Sequence, residues 1–578
     1  MIITVSEYIA KFLKANDVKV VFELSGGMIM HLMDAIEQEP DIGLVNVYHE
    51  QAAAIAADTV GRISNIPGVA LGTSGPGAIN LLTGIGSSYF DSSPTLFITG
   101  QVNRHEQKGA REIRQLGFQE TDIVSMAKPI TKWAERLTTA EDIKKLLPYA
   151  FSLATKGRPG PCLLDIPMDL FRAKIEADPD IFPEIFVDGV EDNYLSSKID
   201  GLLMDLMVAQ RPLILAGHGV QIAGKKKVLR EVVEKLNVPV VTSLLACDLL
   251  PYNHPLRVGM IGTYGNRWAN HALAECDMLI VLGSRLDIRQ TGADTASFAS
   301  GRKIHHIDIE LTEINNRVLG CLSINASLQS FFDDLSRRML NLFVARTEPW
   351  LGRIRELRQK WPDISELKDI SGINPNSFMH SLSHQRQVFA FTVDVGLHQM
   401  WAAQSLELDG SARFITSGGM GAMGFGLPSG IAASIHNEGL MPVVVIAGDA
   451  GFQLNIQELQ SVVHLNLPIK IVVMNNRSHG MTRQFQDTYF NSRYAGTVWG
   501  YSAPNFVAVA EAYGINALRL EDPAKTSEAI DWLWADPLKP MLLEVIINQK
   551  TNCYPKMAFG RPISEMEPFA VPMEMEGT

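Results

Sequence analysis

Cysteine is scarce: Cys162, Cys247, Cys276, Cys321 and Cys553 are the only five in 578 residues. Their number is odd and their spacings are wide, which excludes a disulfide framework and a paired-cysteine zinc site. Buried free thiols in a reducing, cytoplasmic setting are the expectation. No apolar run approaches the ~20 residues that span a bilayer. The opening stretch MIITVSEYIAKFLK reads as an amphipathic helix carrying both acids and bases, without the basic start and unbroken apolar core of a signal peptide. Positive charge is not in excess either. A formal net charge of −12 and a pI of about 5.7 exclude a nucleic-acid surface. Short-period repeats and low-complexity tracts are missing too, which excludes solenoids and disordered linker proteins.

What is present is apolar mass. With 46% hydrophobic residues the chain can fill several cores, and a prior of about 150 residues per domain suggests three or four. Helix and strand patterns alternate throughout, as in α/β proteins built from doubly wound parallel sheets. Residues 1–180 carry buried-strand runs at 18–24, 43–49, 68–73, 95–100 and 162–167. An acidic, proline-containing stretch at 177–193 reads as a linker. A second region, 190–345, has strands at 212–217, 238–243, 278–284 and 303–309. The charged segment 346–366 reads as another linker. The third region, 367–555, has strands at 389–394, 412–417, 517–521 and 541–547, besides the pair described next. Residues 556–578 form an irregular tail rich in Met, Pro and Glu.

The third region holds the stretch around which the chain is organised, VVVIAGDAGFQLNIQELQSVVHLNLPIKIVVMNN, from Val443 to Asn476. An apolar, β-branched run ends in Gly448-Asp449, a helical segment follows, and a second apolar run ends in Asn475-Asn476. Two buried parallel strands with a crossover helix read this way. Both polar pairs then lie at strand carboxyl ends, where open α/β sheets bind ligands. Asp449 and Asn476 offer hard oxygens, while Gly448 and Gly451 leave room for phosphate near backbone N–H groups. A small hard cation such as Mg²⁺ is held by one or two such oxygens plus phosphates. The pattern, GD followed by NN, resembles the thiamine-diphosphate motif, with Ala450 where the motif usually has Gly.

Glu50 opens a small-residue helix in VNVYHEQAAAIAADTVGRIS, and an isolated acid there is most simply a complement to the helix dipole. Three kinds of segment change that reading: HEQAAAIAADTVGR…GVALGTSGPGAINLLTGIGSSYFDSSPTLFITGQV, then LATKGRPGPCLLDIP, MIGTYGNRWAN and LGSRLDIRQTG, then TSGGMGAMGFGLP with the GD…NN stretch. Together they are similar to acetolactate synthase (acetohydroxyacid synthase) catalytic subunits over almost the whole chain. The resemblance implies three doubly wound domains of the thiamine-diphosphate-dependent decarboxylase/carboligase type: pyrimidine-binding, central and diphosphate-binding. It implies a cytoplasmic homodimer or homotetramer with active sites shared between subunits, acting on small molecules.

Carried over by position, Glu50 is the carboxylate that shares a proton with the cofactor's aminopyrimidine. Asp449, Asn476 and the Ser478 carbonyl are the Mg²⁺ ligands. Val395, Gly396, His398 and Gln399 line the cofactor, Met423 wedges beneath it, and Gly480 and Met481 lie just past the anchor. Gly27 leaves room over the reacting carbon, and Phe118 and Gln119 face substrate. In the central domain, Arg158, Gly217, Gly219, Gly262, Gly265, Arg285, Arg289 and Asp308 match positions that contact or adjoin FAD, which in this family is usually structural.

The chain departs from the family at the acceptor side. Phe485 stands where a Trp accompanies 2-ketobutyrate preference, Met168 replaces a Lys, Ile288 replaces an acid, and Leu397 replaces a Gln. Arg111 and Arg114 sit in a longer basic segment before Phe118. The segments RQLGFQETDIVS and RQFQDTYFNSRY are similar to a branch of carboligases that make branched-chain sugars. The leading reading is decarboxylation of pyruvate and transfer of the two-carbon unit to a carbonyl acceptor. A keto sugar nucleotide acceptor, a flavin-dependent pyruvate oxidase and a non-catalytic scaffold are the alternatives.

Overall fold

The structure is a computed structural model and describes residues 1–178, 194–339 and 347–574. Nearly all of the stretch expected as the first linker, 179–193, lies outside the described residues. In chain order the first region carries β1 (Ile2–Thr4), β2 (Val20–Glu23), β3 (Gly43–Asn46), β4 (Gly68–Gly72), β5 (Thr95–Gln101), β6 (Trp133–Arg136), β7 (Pro161–Pro167) and β8 (Lys174–Glu176). The second carries β9 (Pro212–Ala216), β10 (Val240–Thr242), β11 (Arg257–Met260), β12 (Met278–Leu282), β13 (Lys303–Asp308) and β14 (Leu322–Asn325). The third carries β15 (Ala390–Val393), β16 (Arg413–Thr416), β17 (Val443–Gly448), β18 (Ile469–Asn475), β19 (Asn516–Leu520) and β20 (Met541–Ile546). A final antiparallel pair is β21 (Lys556–Met557) and β22 (Met566–Glu567).

Three six-stranded parallel sheets result, in the orders β3-β2-β4-β5-β7-β6, β11-β10-β9-β12-β13-β14 and β16-β15-β17-β18-β20-β19. Their central strands are buried along their length, which is why they read as unbroken apolar runs rather than as alternations. In each sheet the direction of winding reverses near the middle, between β2 and β4, between β9 and β12, and between β15 and β17; in the first and third sheets it reverses again at the far edge, where β7 and β20 insert inside β6 and β19. A crevice opens at the carboxyl ends of the strands flanking each central reversal. The three crevices are where the site residues gather.

The first and third domains are joined by the helices Glu50–Ser64 and Gly426–His436. Ala52, Ala53, Ala56 and Ala57 on one, and Gly430, Ala432 and Ala433 on the other, are buried and small, so the backbones approach closely. Thr59 Oγ1 donates to Ser429 Oγ at 2.9 Å. Arg62 donates to the Thr416 carbonyl at 2.8 Å while pairing with Asp58 and Asp91 at 2.7 and 2.8 Å.

Four sequence expectations change. The charged segment beginning at 346 is no open linker: Glu348–Lys360 is a helix that buries Trp350, Leu351, Ile354 and Leu357, and Trp350 Nε1 donates to the Pro212 carbonyl. The tail is docked, with Met557, Ile563 and Met566 in the central domain's core. The chain begins with strand β1 before the amphipathic helix Val5–Ala15. The expectations for 1–180 and 190–345 also lack β6, β11 and β14, short strands on the edges of their sheets. All five cysteines are buried and unpaired. Among the described residues no helix is long and apolar enough to cross a membrane.

Candidate functional site

At the reversal point of the third sheet, β15 runs into Asp394-Val395-Gly396 and β17 into Gly448-Asp449, with Asn476 and Ser478 following β18. The glycines let these ends close up. A Cβ on Gly448 would come within 2.9 Å of the His398 ring, one on Gly451 within 2.7 Å of Asp394 Oδ1, and one on Gly480 within 2.5 Å of Asn476 Nδ2. Asp449 is buried, and burial pushes its carboxyl up to about 6. The Tyr501 hydroxyl and the Ala450 and Ser478 N–H groups face that carboxylate and temper the rise. His398 is held neutral, its imidazole pushed down to about 3 by burial.

Several of these groups lack partners. Asp449 Oδ2, Ser478 Oγ, His398 Nε2, Gln399 Oε1 and Tyr501 Oη are all buried without a hydrogen bond. An unsatisfied buried polar atom costs about 1–3 kcal/mol. Such a concentration of hard oxygens and ring nitrogen in a glycine-lined crevice suits a metal-bound diphosphate. Gln399 is otherwise tied down, donating to Thr416 Oγ1 and the Ser417 carbonyl. Met423 lies on a loop fixed from below: Asp394 accepts the N–H groups of Val395, Gly424 and Gly426 at 2.7, 3.0 and 3.0 Å. Val395 and Met481 are half-buried at the rim.

In the first domain the loop after β4 brings Gly27, Glu50 and Gln119 together. Met28 N–H donates to Thr73 Oγ1, a Cβ on Gly77 would meet Glu50 Oε1 at 3.0 Å, and one on Gly75 would meet Gln119 at 2.9 Å. Gln119 itself has a left-handed backbone, φ 66°. A Cβ on Gly27 would meet nothing within 4 Å, so that face is open. Glu50 begins its helix, is 6% exposed, and accepts from Asn80 Nδ2 at 2.9 Å through Oε2. The neighbouring Gln51 donates to the Met423 carbonyl at 3.5 Å, linking the two domains beside the site. Phe118 is 79% exposed, the most exposed phenylalanine of the chain's described apolar surface.

At the reversal point of the central sheet lies a cavity of about 380 Å³, within the range of cofactor sites. Arg158, Gly219, Arg285, Arg289 and Asp308 line it, together with His218, Gln290, Met400 and the Gly418-Gly419 turn. Gly217, Gly262 and Gly265 do not line it. They serve close backbone approach instead: a Cβ would reach Gly283 O at 2.2 Å, Arg289 O at 2.4 Å and Ile261 C at 2.6 Å respectively. Asp308 ends β13, its carboxyl pushed up to about 6 by burial. Arg158 pairs with Glu310 and Glu313, each at 2.7 Å. His218 Nε2 is buried without a partner at the cavity wall.

The residues expected to tune the acceptor are spread over the chain. Phe485 packs on Tyr489 and Phe490, ring centroids 4.7 and 5.9 Å away, and Met168 opens the short helix after β7. Leu397 packs beside Gly480, and Ile288 is exposed. Arg111 donates to carbonyls of its own loop, at Gln107 and Lys108. Sequence reasoning missed Asp394 and Tyr501. An acid ending a strand and a tyrosine in an irregular loop carry no local signal of a ligand.

Comparisons with known proteins agree with this arrangement. Residues 3–126 match the thiamine pyrophosphate enzyme N-terminal TPP binding domain, 199–335 the central domain, and 394–545 the C-terminal TPP binding domain. These matches and the three sheets define a thiamine pyrophosphate enzyme. The acetolactate synthase large subunit of Lactococcus lactis subsp. lactis (strain IL1403) is 35% identical over 566 residues, 97% of this chain and 95% of that protein. A probable acetolactate synthase large subunit of Methanocaldococcus jannaschii is 35% identical over 553 residues, 94% and 92% of the two chains. That of Cyanidium caldarium is 33% identical over 569 residues, 95% and 94%. The chain belongs to the acetolactate synthase large-subunit family of thiamine pyrophosphate enzymes.

Proposed function

We propose that this protein decarboxylates pyruvate and joins the remaining two-carbon unit to a carbonyl acceptor, with a second pyruvate as the acceptor its relatives suggest. The observation that carries the reading is the set of buried, unpartnered atoms Asp449 Oδ2, Ser478 Oγ and His398 Nε2 in the crevice between β15, β17 and β18. Asp449, Asn476 and the Ser478 carbonyl would hold Mg²⁺, and through it the diphosphate. Gly448, Ala450 and Gly451 would let the diphosphate approach backbone N–H groups, and Gly480 and Met481 would adjoin it. Val395, Gly396, His398 and Gln399 would flank the cofactor, with Met423 beneath it. When bound, thiamine diphosphate supplies the electron sink that makes loss of CO₂ possible.

The chain's own side chains then position, exclude water and carry protons. Glu50 Oε2 is fixed by Asn80, which leaves Oε1 as the atom that holds and returns the proton of the aminopyrimidine ring. Gln119 is a neutral donor for a substrate oxygen, and Gly27 keeps the space above it clear. Exposed Phe118 supports assembly as a homodimer or larger homo-oligomer, since a large apolar side chain in water is costly and gains from a partner. The central cavity, with Arg158, Arg285, Arg289 and Asp308 around it, supports FAD binding there. Phe485 and Met168 would set acceptor size.

Incubation of the wild-type protein and Glu50→Gln with labelled pyruvate, thiamine diphosphate and Mg²⁺ tests the reading. Acetolactate and CO₂ are expected from the wild type, with turnover lowered at least about 100-fold in the variant. Failure of the wild type to consume pyruvate would overturn the donor assignment.

A further inference from the structure

A second concavity, of about 620 Å³, shares no lining residue with the flavin cavity or the thiamine crevice. Tyr252 and Trp268 of the central domain form one wall, Arg355 and Arg358 of the helix Glu348–Lys360 a second, and His380 of the helix Pro375–Ser383 a third. Two guanidinium groups stack on the same ring here. Arg257 Cζ and Arg358 Cζ each lie 5.1 Å from the Tyr252 centroid, and Arg358 also lies 5.7 Å from that of Trp268.

Neither arginine has an acid in direct contact. Among the described residues no carboxylate comes within 4 Å of Arg257 or Arg358, although other arginines on the same helix are paired, Arg353 with Glu275 and Arg355 with Glu348. Arg257 is 5% exposed, and its Nε is buried with no acceptor. Asp363, which lines the groove, is already engaged by His380 at 2.9 Å and by the Ser405 hydroxyl, and Glu407 holds the other ring nitrogen of His380 at 3.0 Å. A buried guanidinium without a directly paired counterion is expensive, and a like charge on the same aromatic ring adds to the cost. Burial, with the neighbouring Arg358, pushes Arg257 down from its ordinary range, and the more distant Asp363 opposes this only in part. Cation–π contacts of about 0.5–2 kcal/mol offset only part of such a penalty. The missing component is an anion.

We propose that this groove binds the phosphoryl group of a small metabolite, with Arg358 as the direct bidentate contact and Arg257 as the fixed charge behind Tyr252. Two cationic forks match a dianionic phosphate better than a single carboxylate. The Tyr252–Trp268 wall receives the apolar or planar remainder of the ligand. Occupancy would tie the central domain to the third domain, because the lining residues come from both.

The test uses the holoprotein saturated with thiamine diphosphate, Mg²⁺ and FAD, so that every other phosphate subsite is filled. Inorganic phosphate is titrated against chloride at matched ionic strength, with the melting temperature as readout. A rise of about 2 °C or more is expected at tenfold excess over Kd. Arg358→Gln should abolish it and Arg358→Lys retain part. No rise in the wild type, or an equal rise in Arg358→Gln, overturns the proposal. An equal rise with succinate overturns the phosphoryl assignment. Arg257→Met should also lose the response; if that variant fails to fold, Arg358→Gln still decides.

Discussion

The carboxylate of Asp394 accepts the backbone N–H of Gly424 at 3.0 Å, one residue beyond Met423. A second bond to Gly426 and a third to Val395 make this buried acid the clamp of the whole turn, even though burial pushes its carboxyl up to about 6. Asp394→Asn keeps the size but turns one acceptor into a donor facing N–H groups. The expected cost is about 1–3 kcal/mol of stability. Thiamine diphosphate affinity should fall about tenfold as the Met423 turn loosens. Calorimetric titration of the cofactor in Mg²⁺ checks the second value, and thermal unfolding the first. An unchanged affinity would show that Met423 is placed by other contacts.

Asp449 differs from Asp394 in having a buried carboxylate oxygen that accepts no hydrogen bond. Removing it should relieve the apoprotein rather than harm it. Asp449→Ala is therefore expected to melt at or above the wild-type temperature without cofactor. It should also lose the rise that thiamine diphosphate and Mg²⁺ give the wild type, by RT ln(1 + [L]/Kd). Ser478→Ala should keep most of that rise, because the proposed ligand atom there is the main-chain carbonyl. Differential scanning calorimetry of the three proteins, with and without cofactor, separates the two roles.

The contrast between these acids explains what could be read in advance. Asp449 and Asn476 were legible because each follows an apolar run, and because the segment between them has the composition of a crossover helix. Asp394 also ends a strand, but its work is done on a turn some thirty residues later, and pairing across that distance leaves no periodic mark. Tyr501 reaches the crevice from an irregular loop for the same reason. The helix Glu348–Lys360 was misread as a linker because its charge hid a pattern that is present: Trp350, Ile354 and Leu357 recur at helical spacing and are buried. The central cavity is half legible: Arg158, Arg285, Arg289 and Asp308 line it, whereas Gly217, Gly262 and Gly265 serve backbone packing around it. Glycine marks close approach without saying of what.

His380 makes a pH prediction possible. Burial alone would lower its imidazole, but Asp363 and Glu407 outweigh that and hold it above the ordinary histidine value. A group whose folded pKa is raised contributes its full stability below the unfolded value of about 6.5 and loses it as pH rises through the folded one. Asp363 is shifted the other way, below its ordinary range, so its share is full above about 4 and is lost only in stronger acid. Between pH 5.5 and 9, then, the contribution of His380 to this cluster should decline as it deprotonates. His380→Gln should lower the melting temperature at pH 5.5 and converge on the wild type at pH 9. A constant difference across that range would mean that His380 stays charged throughout, or was never charged.

The buried triad Asp58–Arg62–Asp91 welds the first domain to the third, because Arg62 also donates to Thr416 O and Asp91 accepts the N–H groups of Gly418 and Gly419 at 3.0 and 2.6 Å. Arg62→Met would strand two acids that are almost wholly buried. Breaking a buried pair by removing one partner costs about 3–5 kcal/mol, most of it the penalty of the charge left behind. That penalty falls with protonation, so the variant should recover stability as pH is lowered; burial already drives Asp58 upward in the intact triad. Gly418 and Gly419 also line the central cavity. The same substitution should therefore weaken retention of the proposed FAD on gel filtration, whereas Arg386→Met, which removes a surface pair with Asp531 and a contact with the Trp534 ring far from the cavity, should leave that retention unchanged. Equal flavin loss in both variants would separate the triad from the cavity it borders.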